Sequence, residues 1–197
     1  MYKFSIYLAN LQTIYLSPNK IKMKKVFTLG LLASVLFTSV QLNAQSEEDK
    51  SKRPSPPASV KEKIKSGATI TINYSQPSVK GRTIGKDLEP MDGKVWRTGA
   101  NEATVFETDK DVTIDGKKLA AGKYGLFTLF SGNDVTIIFN KTWNQWGAFK
   151  YKDADDILRV QTKYTEGPAS EKMTFKINGN GMVNLMWGTR KVSFKVD

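Results

Sequence analysis

The chain has 197 residues, 30 Lys and Arg against 19 Asp and Glu for a net charge of +11, and neither cysteine nor histidine. The missing thiols exclude a disulfide framework, thiolate catalysis and cysteine-ligated metals, and the missing imidazoles exclude a serine-histidine triad, a histidine general base and the usual zinc or iron sites. With 40% hydrophobic and 25% charged residues the composition is globular, and no cofactor and no metal is expected.

Residues 1–45 hold Lys3, Lys20, Lys22, Lys24 and Lys25 and no acid, so without them 25 bases face 19 acids, a net of +6. The remaining Lys and Arg are scattered and no nucleic-acid module is visible, so no nucleic-acid partner is expected. From Met23 the chain reads Met-Lys-Lys, then an apolar run Val26 to Val40, then Gln41-Leu-Asn-Ala44. A basic start, an apolar stretch of about 15 residues and a small terminal residue make residues 23–44 a signal peptide cut after Ala44, with no membrane span left after cleavage. A second prefix ahead of such a segment is unusual, so residues 1–22 are expected to be a mis-called extension and Met23 the true start. Export implies a periplasmic or extracellular location.

Residues 45–60, with Pro54, Pro56 and Pro57, read as a flexible linker, and Lys61 to Lys65 as a short helical turn or an early strand. Residues 61–197 then form one domain. Ala68 to Tyr74 alternates apolar and polar residues, as a half-buried strand does, and Gly81 through Pro90 reads as a loop. Ala103 to Glu107 is extended again. Val112 to Ile114 and Lys117 to Leu119 flank Asp115-Gly116, whose tolerance of positive φ predicts a tight hairpin. Gly125 to Phe130 and Val135 to Phe139 flank Ser131 to Asp134 as a second hairpin, and Ile157 to Tyr164, Lys172 to Ile177, Met182 to Trp187 and Lys191 to Val196 supply the remaining strands. About nine short strands without an amphipathic helix predict an all-β fold, an antiparallel β-sandwich, with a β-barrel as the alternative.

Five segments occur together in order: Gly93-Lys-Val-Trp-Arg-Thr-Gly-Ala-Asn-Glu-Ala-Thr104, Gly122-Lys-Tyr-Gly-Leu-Phe-Thr128, Ile137-Ile-Phe-Asn-Lys141, Gln145-Trp-Gly-Ala148 and Val192-Ser-Phe194. With them the chain resembles the secreted bacterial domain-of-unknown-function family 2911, over roughly residues 56 to 197. The resemblance implies a secreted single domain and leaves the activity open.

The first segment concentrates polar chemistry. Arg97 offers a rigid donor fork, Asn101 a donor and an acceptor, and Glu102 an acid, a base or a hydroxyl acceptor, with Trp96 and Thr98 beside them. Strand alternation puts Arg97, Gly99 and Asn101 on one face and Thr98, Ala100 and Glu102 on the other, so a shared site requires a bend at Gly99. The structural alternative has Trp96 anchored in the core while Arg97 and Glu102 pair across a loop. Glu102 is the one catalytic candidate, with Glu89, Asp92 or Glu107 as a second carboxylate, and Lys123 is the only base near a motif for a hydroxyl nucleophile. Trp143, Trp146 and Tyr151 surround amides and form either a sugar-stacking platform or the end of the core. Asp153-Ala-Asp-Asp156 lacks the calcium-loop spacing and reads as a solvated loop. The expected function is a non-enzymatic, envelope-associated binding domain for a polar small molecule such as a glycan. The alternatives are a hydrolase using Glu102 and a structural envelope protein.

Overall fold

The computed structural model describes residues 49–197, which form one compact unit, Asp49–Asp197. The extension 1–22, the signal peptide 23–44 and the first residues of the linker lie outside the described residues. The unit is all-β and antiparallel. Its strands in chain order are β1 (Pro57–Lys63), β2 (Thr69–Ser75), β3 (Val95–Trp96), β4 (Val105–Thr108), β5 (Val112–Ile114), β6 (Lys117–Leu119), β7 (Gly122–Ser131), β8 (Asp134–Asn140), β9 (Asp156–Ile177) and β10 (Met182–Lys195). Eight of them make one sheet in the order β1-β2-β4-β7-β8-β9-β10, with β3 added to β7, and β5 and β6 make a hairpin apart.

Local chemistry explains most of the boundaries. Ile70, Ile72 and Tyr74 point inward from β2 while Thr69, Thr71 and Asn73 do not, the period of two that its sequence shows. Asp115 (φ 45°) and Gly116 (φ 80°) both take positive φ in the β5–β6 turn, as expected for an Asp-Gly hairpin. Three expectations need correction. Strand β1 starts at Pro57, inside the segment read as a flexible linker, because Val60 and its neighbours pair with β2 from Pro57↔Ser75 to Lys63↔Thr69. Ile157 to Tyr164 and Lys172 to Ile177 are two ends of one 22-residue strand, β9. Gly167-Pro168 does not break it, because this stretch faces the register shifts around Gly188 of β10, where a proline costs no ladder hydrogen bond. The same shifts let β10 run unbroken through what reads as two strands.

The long strand also closes the fold. Beyond β2 the chain pairs with the second half of β9, through Val79 N–H to Glu171 O (2.9 Å) and Met173 N–H to Pro77 O (3.0 Å). The sheet therefore curls into a half-barrel, with the character of both a sandwich and a barrel. Phe106, Phe139 and Phe194 meet inside edge to face or tilted, with ring centroids 5.0 to 6.5 Å apart, among Ile70, Ile72, Ile137 and Met173. A smaller apolar cluster lies apart from this core. There Phe127 and Ile138 of β7 and β8 are covered by Ala148 and Tyr151 from the β8–β9 loop. Apolar residues on both faces of β7 explain why its burial pattern does not alternate.

Candidate functional site

The Trp96 to Glu102 stretch leaves the sheet at β3, where Val95 pairs with Leu129 and Trp96 with Thr128. Trp96 is 3% exposed and its indole N–H donates to Gly99 O at 3.0 Å, which anchors the loop from below. The bend expected at Gly99 is made instead by its neighbours. Thr98 and Asn101 both have φ of 53°, a conformation that costs a β-branched residue about 1–3 kcal/mol. The buried Thr98 hydroxyl is held 3.2 Å from that of Thr128, and Thr104 Oγ1 donates to Thr98 O at 2.7 Å, which keep the strained turn in place. Gly99 is needed for close approach: a Cβ there would lie 3.0 Å from Thr104 Oγ1 and 3.2 Å from Ser75 O.

Arg97, Asn101 and Glu102 do not share a cleft, and Arg97 and Glu102 do not pair. Arg97 lines a cavity of about 200 Å³ together with Arg82, Leu88, Glu89, Trp96 and Trp187. Its Nε is buried without a hydrogen-bond partner. Burial pulls the guanidinium pKa down, and the negative charge of Glu89 counters this in part. Among the described residues no carboxylate comes within salt-bridge distance of Arg97. Arg82 is tied to its own loop, with Nε and Nη2 donating to Val79 O and Ser78 O. Trp187 donates to Glu89 O at 2.8 Å and Glu89 Oε2 accepts from Met91 N–H at 2.7 Å, so the far wall is fixed.

Glu102 lines a different cavity, beside Lys50 and Ala58. Lys50 Nζ lies 3.0 Å from Oε1, and Arg53 Nη1 bridges both oxygens at 3.0 Å. Partial burial pushes the carboxyl pKa up, but the bonds from Lys50, its own backbone and Arg53 outweigh this and hold it down to about 2. Asn101 turns its amide to Ser55 O at 2.9 Å. The segment Lys50 to Ser55 is thus a strap laid against the candidate stretch.

The β8–β9 loop joins this arrangement through its backbone. Ala103 N–H donates to Gln145 O and Gly147 N–H to Asn101 O, both at 2.9 Å, so two motifs far apart in sequence lie side by side. Asn140 is fully buried, with Nδ2 donating to Lys152 O and Asp156 Oδ1 and Oδ1 accepting from Thr142 N–H. Tyr151 donates to Asp156 Oδ2 at 2.8 Å, and burial together with that bond raises its pKa to about 12. Asp155 pairs with Lys141 and Asp156 with Arg159, so two of the three clustered acids brace the loop. Trp143 and Trp146 remain exposed, at 37% and 52%. Arg53 sits over the Trp146 ring at 5.5 Å and Lys123 over the Trp143 ring at 5.7 Å. Lys123 also pairs with Glu107 at 3.3 Å, which leaves it poorly placed as a general base.

Sequence reasoning missed the strap residues Lys50 and Arg53 and the Trp187 wall. Nothing in a proline-rich charged segment marks one arginine as a clamp, and Trp187 reads only as one more strand aromatic. In comparisons with known proteins, the model of a family described as "Protein of unknown function (DUF2911)" matches residues 55–196. No curated protein and no solved structure matches the chain.

Proposed function

This chain belongs to the DUF2911 family, and within it we propose an exported, non-enzymatic binding domain of the cell envelope that takes the polar end group of a glycan or similar hydroxylated molecule in the Arg97 cleft. The observation that carries this is the cavity lined by both Arg97 and Glu89, together with an Arg97 Nε that is buried without a partner. A desolvated donor left unpaired is costly, which marks Arg97 as a cation the fold holds without satisfying it. A hydroxyl group suits the pair well, because it accepts from Arg97 and donates to Glu89 in one contact. At about 200 Å³ the cavity is smaller than the usual ~300–1,000 Å³ of drug-sized sites, which fits one ring or one chain end. The strained Thr98 next to Arg97 points the same way, since such strain gathers at working sites. The export reading of residues 23–44 supplies the periplasmic or extracellular setting.

A hydrolase built on Glu102 has less support. Its carboxyl is already ionised far below neutral pH and both oxygens are held by cations, the opposite of a group poised to give up a proton. A glycan array followed by calorimetry tests the binding reading. Wild type binds at least one hydroxylated ligand, and Arg97→Gln weakens it about tenfold or more while the fold is retained. No binding by wild type, or equal binding by Arg97→Gln, would overturn it.

A further inference from the structure

The β8–β9 loop carries a feature the Arg97 cleft does not use. Phe149 is 85% exposed, the most exposed large apolar side chain among the described residues, and Trp146 and Trp143 stand exposed within six residues of it. A lone exposed aromatic needs no explanation, but three on one short loop do. This loop is not loose. Gln145 is buried, donates through Nε2 to Thr142 O and accepts from Lys150 N–H, and Ala148 and Tyr151 pack onto Phe127 and Ile138. The frame holds Gln145, Ala148 and Tyr151 inward and leaves Trp143, Trp146 and Phe149 in water.

Around the three rings the exposed charge that is not in a salt bridge is mostly positive. Lys141 to Lys152 contains Lys141, Lys150 and Lys152 and no acid. Lys141 is paired with Asp155, whereas Lys150 and Lys152 are exposed beside Phe149 and form no salt bridge among the described residues. Nearby, Glu102 and Glu107 are neutralised by Lys50, Arg53 and Lys123, and Asp155 and Asp156 by Lys141 and Arg159, which leaves Asp153 as the exposed acid of the loop outside any salt bridge among the described residues.

We propose that Trp143, Trp146 and Phe149, flanked by Lys150 and Lys152, form a rigid tip that docks on an anionic lipid surface. Indole and phenyl rings with lysines around them match the boundary between headgroups and acyl chains, where tryptophan settles and lysines are drawn to an anionic surface. A protein partner fits less well, because lysine is depleted at protein interfaces. A sugar platform also fits less well: cations already sit over both indoles, and the most exposed ring, Phe149, offers a hydroxyl no polar group. This inference does not depend on the Arg97 cleft.

Vesicle sedimentation of the unit Asp49–Asp197, which has its own core, tests it without the apolar leader. The protein sediments with phosphatidylglycerol-containing vesicles about tenfold or more better than with pure phosphatidylcholine, and its tryptophan emission is quenched by brominated lipid. Trp146→Ala with Phe149→Ala lowers binding about tenfold or more, and Lys150→Glu with Lys152→Glu removes the preference for anionic vesicles. All four positions are exposed, and circular dichroism matching wild type confirms that the variants fold. Absence of sedimentation with anionic vesicles, binding unchanged in the aromatic double variant, or retention on insoluble polysaccharide through the same residues in place of vesicles would each overturn the proposal.

Discussion

Arg97 and Glu102 lie in one stretch of sequence and have opposite environments. Glu102 is partly exposed and has two cations on it, while Arg97 has a desolvated nitrogen with no acceptor. Both are charged residues in the same motif, yet one is satisfied within the fold and the other is not. The difference shows that a charged motif residue becomes a binding candidate through what the fold leaves unpaired. By that measure the proposed binding end of this stretch is its start, at Trp96-Arg97, while its far end, at Asn101-Glu102, holds the strap.

The contrast can be broken or sharpened by experiment. The largest expected effect is on ligand affinity: Arg97→Gln loses about 1.5–3 kcal/mol of binding, and its melting temperature stays level or rises because a desolvated cation has gone. Calorimetry and thermal melts on the same sample measure both, and a marked drop in melting temperature would give Arg97 a structural role instead. Gly99→Val comes next, with a stability loss of about 1–3 kcal/mol by denaturant titration, as the new side chain meets Thr104 Oγ1 and Ser75 O. Glu102→Gln costs less, below about 1 kcal/mol, because the pair is partly exposed and screened.

That variant also has a pH signature. The folded pKa of Glu102 is held near 2, below the ordinary 4.5, so its contribution is fully present above pH 4.5 and is lost as pH falls from there toward 2. Wild type should therefore lose its advantage over Glu102→Gln across that window, as read from paired thermal melts. Smallest is the effect of salt. At 1 M NaCl, where screening acts over about 3 Å, the strap loses its hold on Glu102 and amide exchange at residues 50–55 quickens, with the Arg97 cleft unchanged.

Much of this was legible in the sequence. Period-two alternation located β2, and Asp115-Gly116 located its hairpin. Strand merging was not legible, because Gly167-Pro168 reads as a break and only the irregular register opposite it shows otherwise. Strand parity does not apply to Arg97 and Glu102, because the strand ends at Trp96, and Thr98 and Asn101 carry the bend expected at Gly99. Propensity favours glycine for positive φ, and here tertiary hydrogen bonds to Thr98 overrode that preference. The Glu89 and Trp187 wall was beyond reach, since it depends on contacts across 98 positions of sequence.

Those long separations have a consequence for how the protein matures. The cleft needs Trp187 of the last strand to meet Glu89, and the strap needs Arg53 to meet Glu102 across 49 positions. Contacts of such range require large loops to close, as do those of Tyr74 with Phe175 and Gln76 with Met173. A chain truncated before β10 would lack the Trp187 wall of the cleft. If the cleft binds as proposed, binding requires a chain that includes β10.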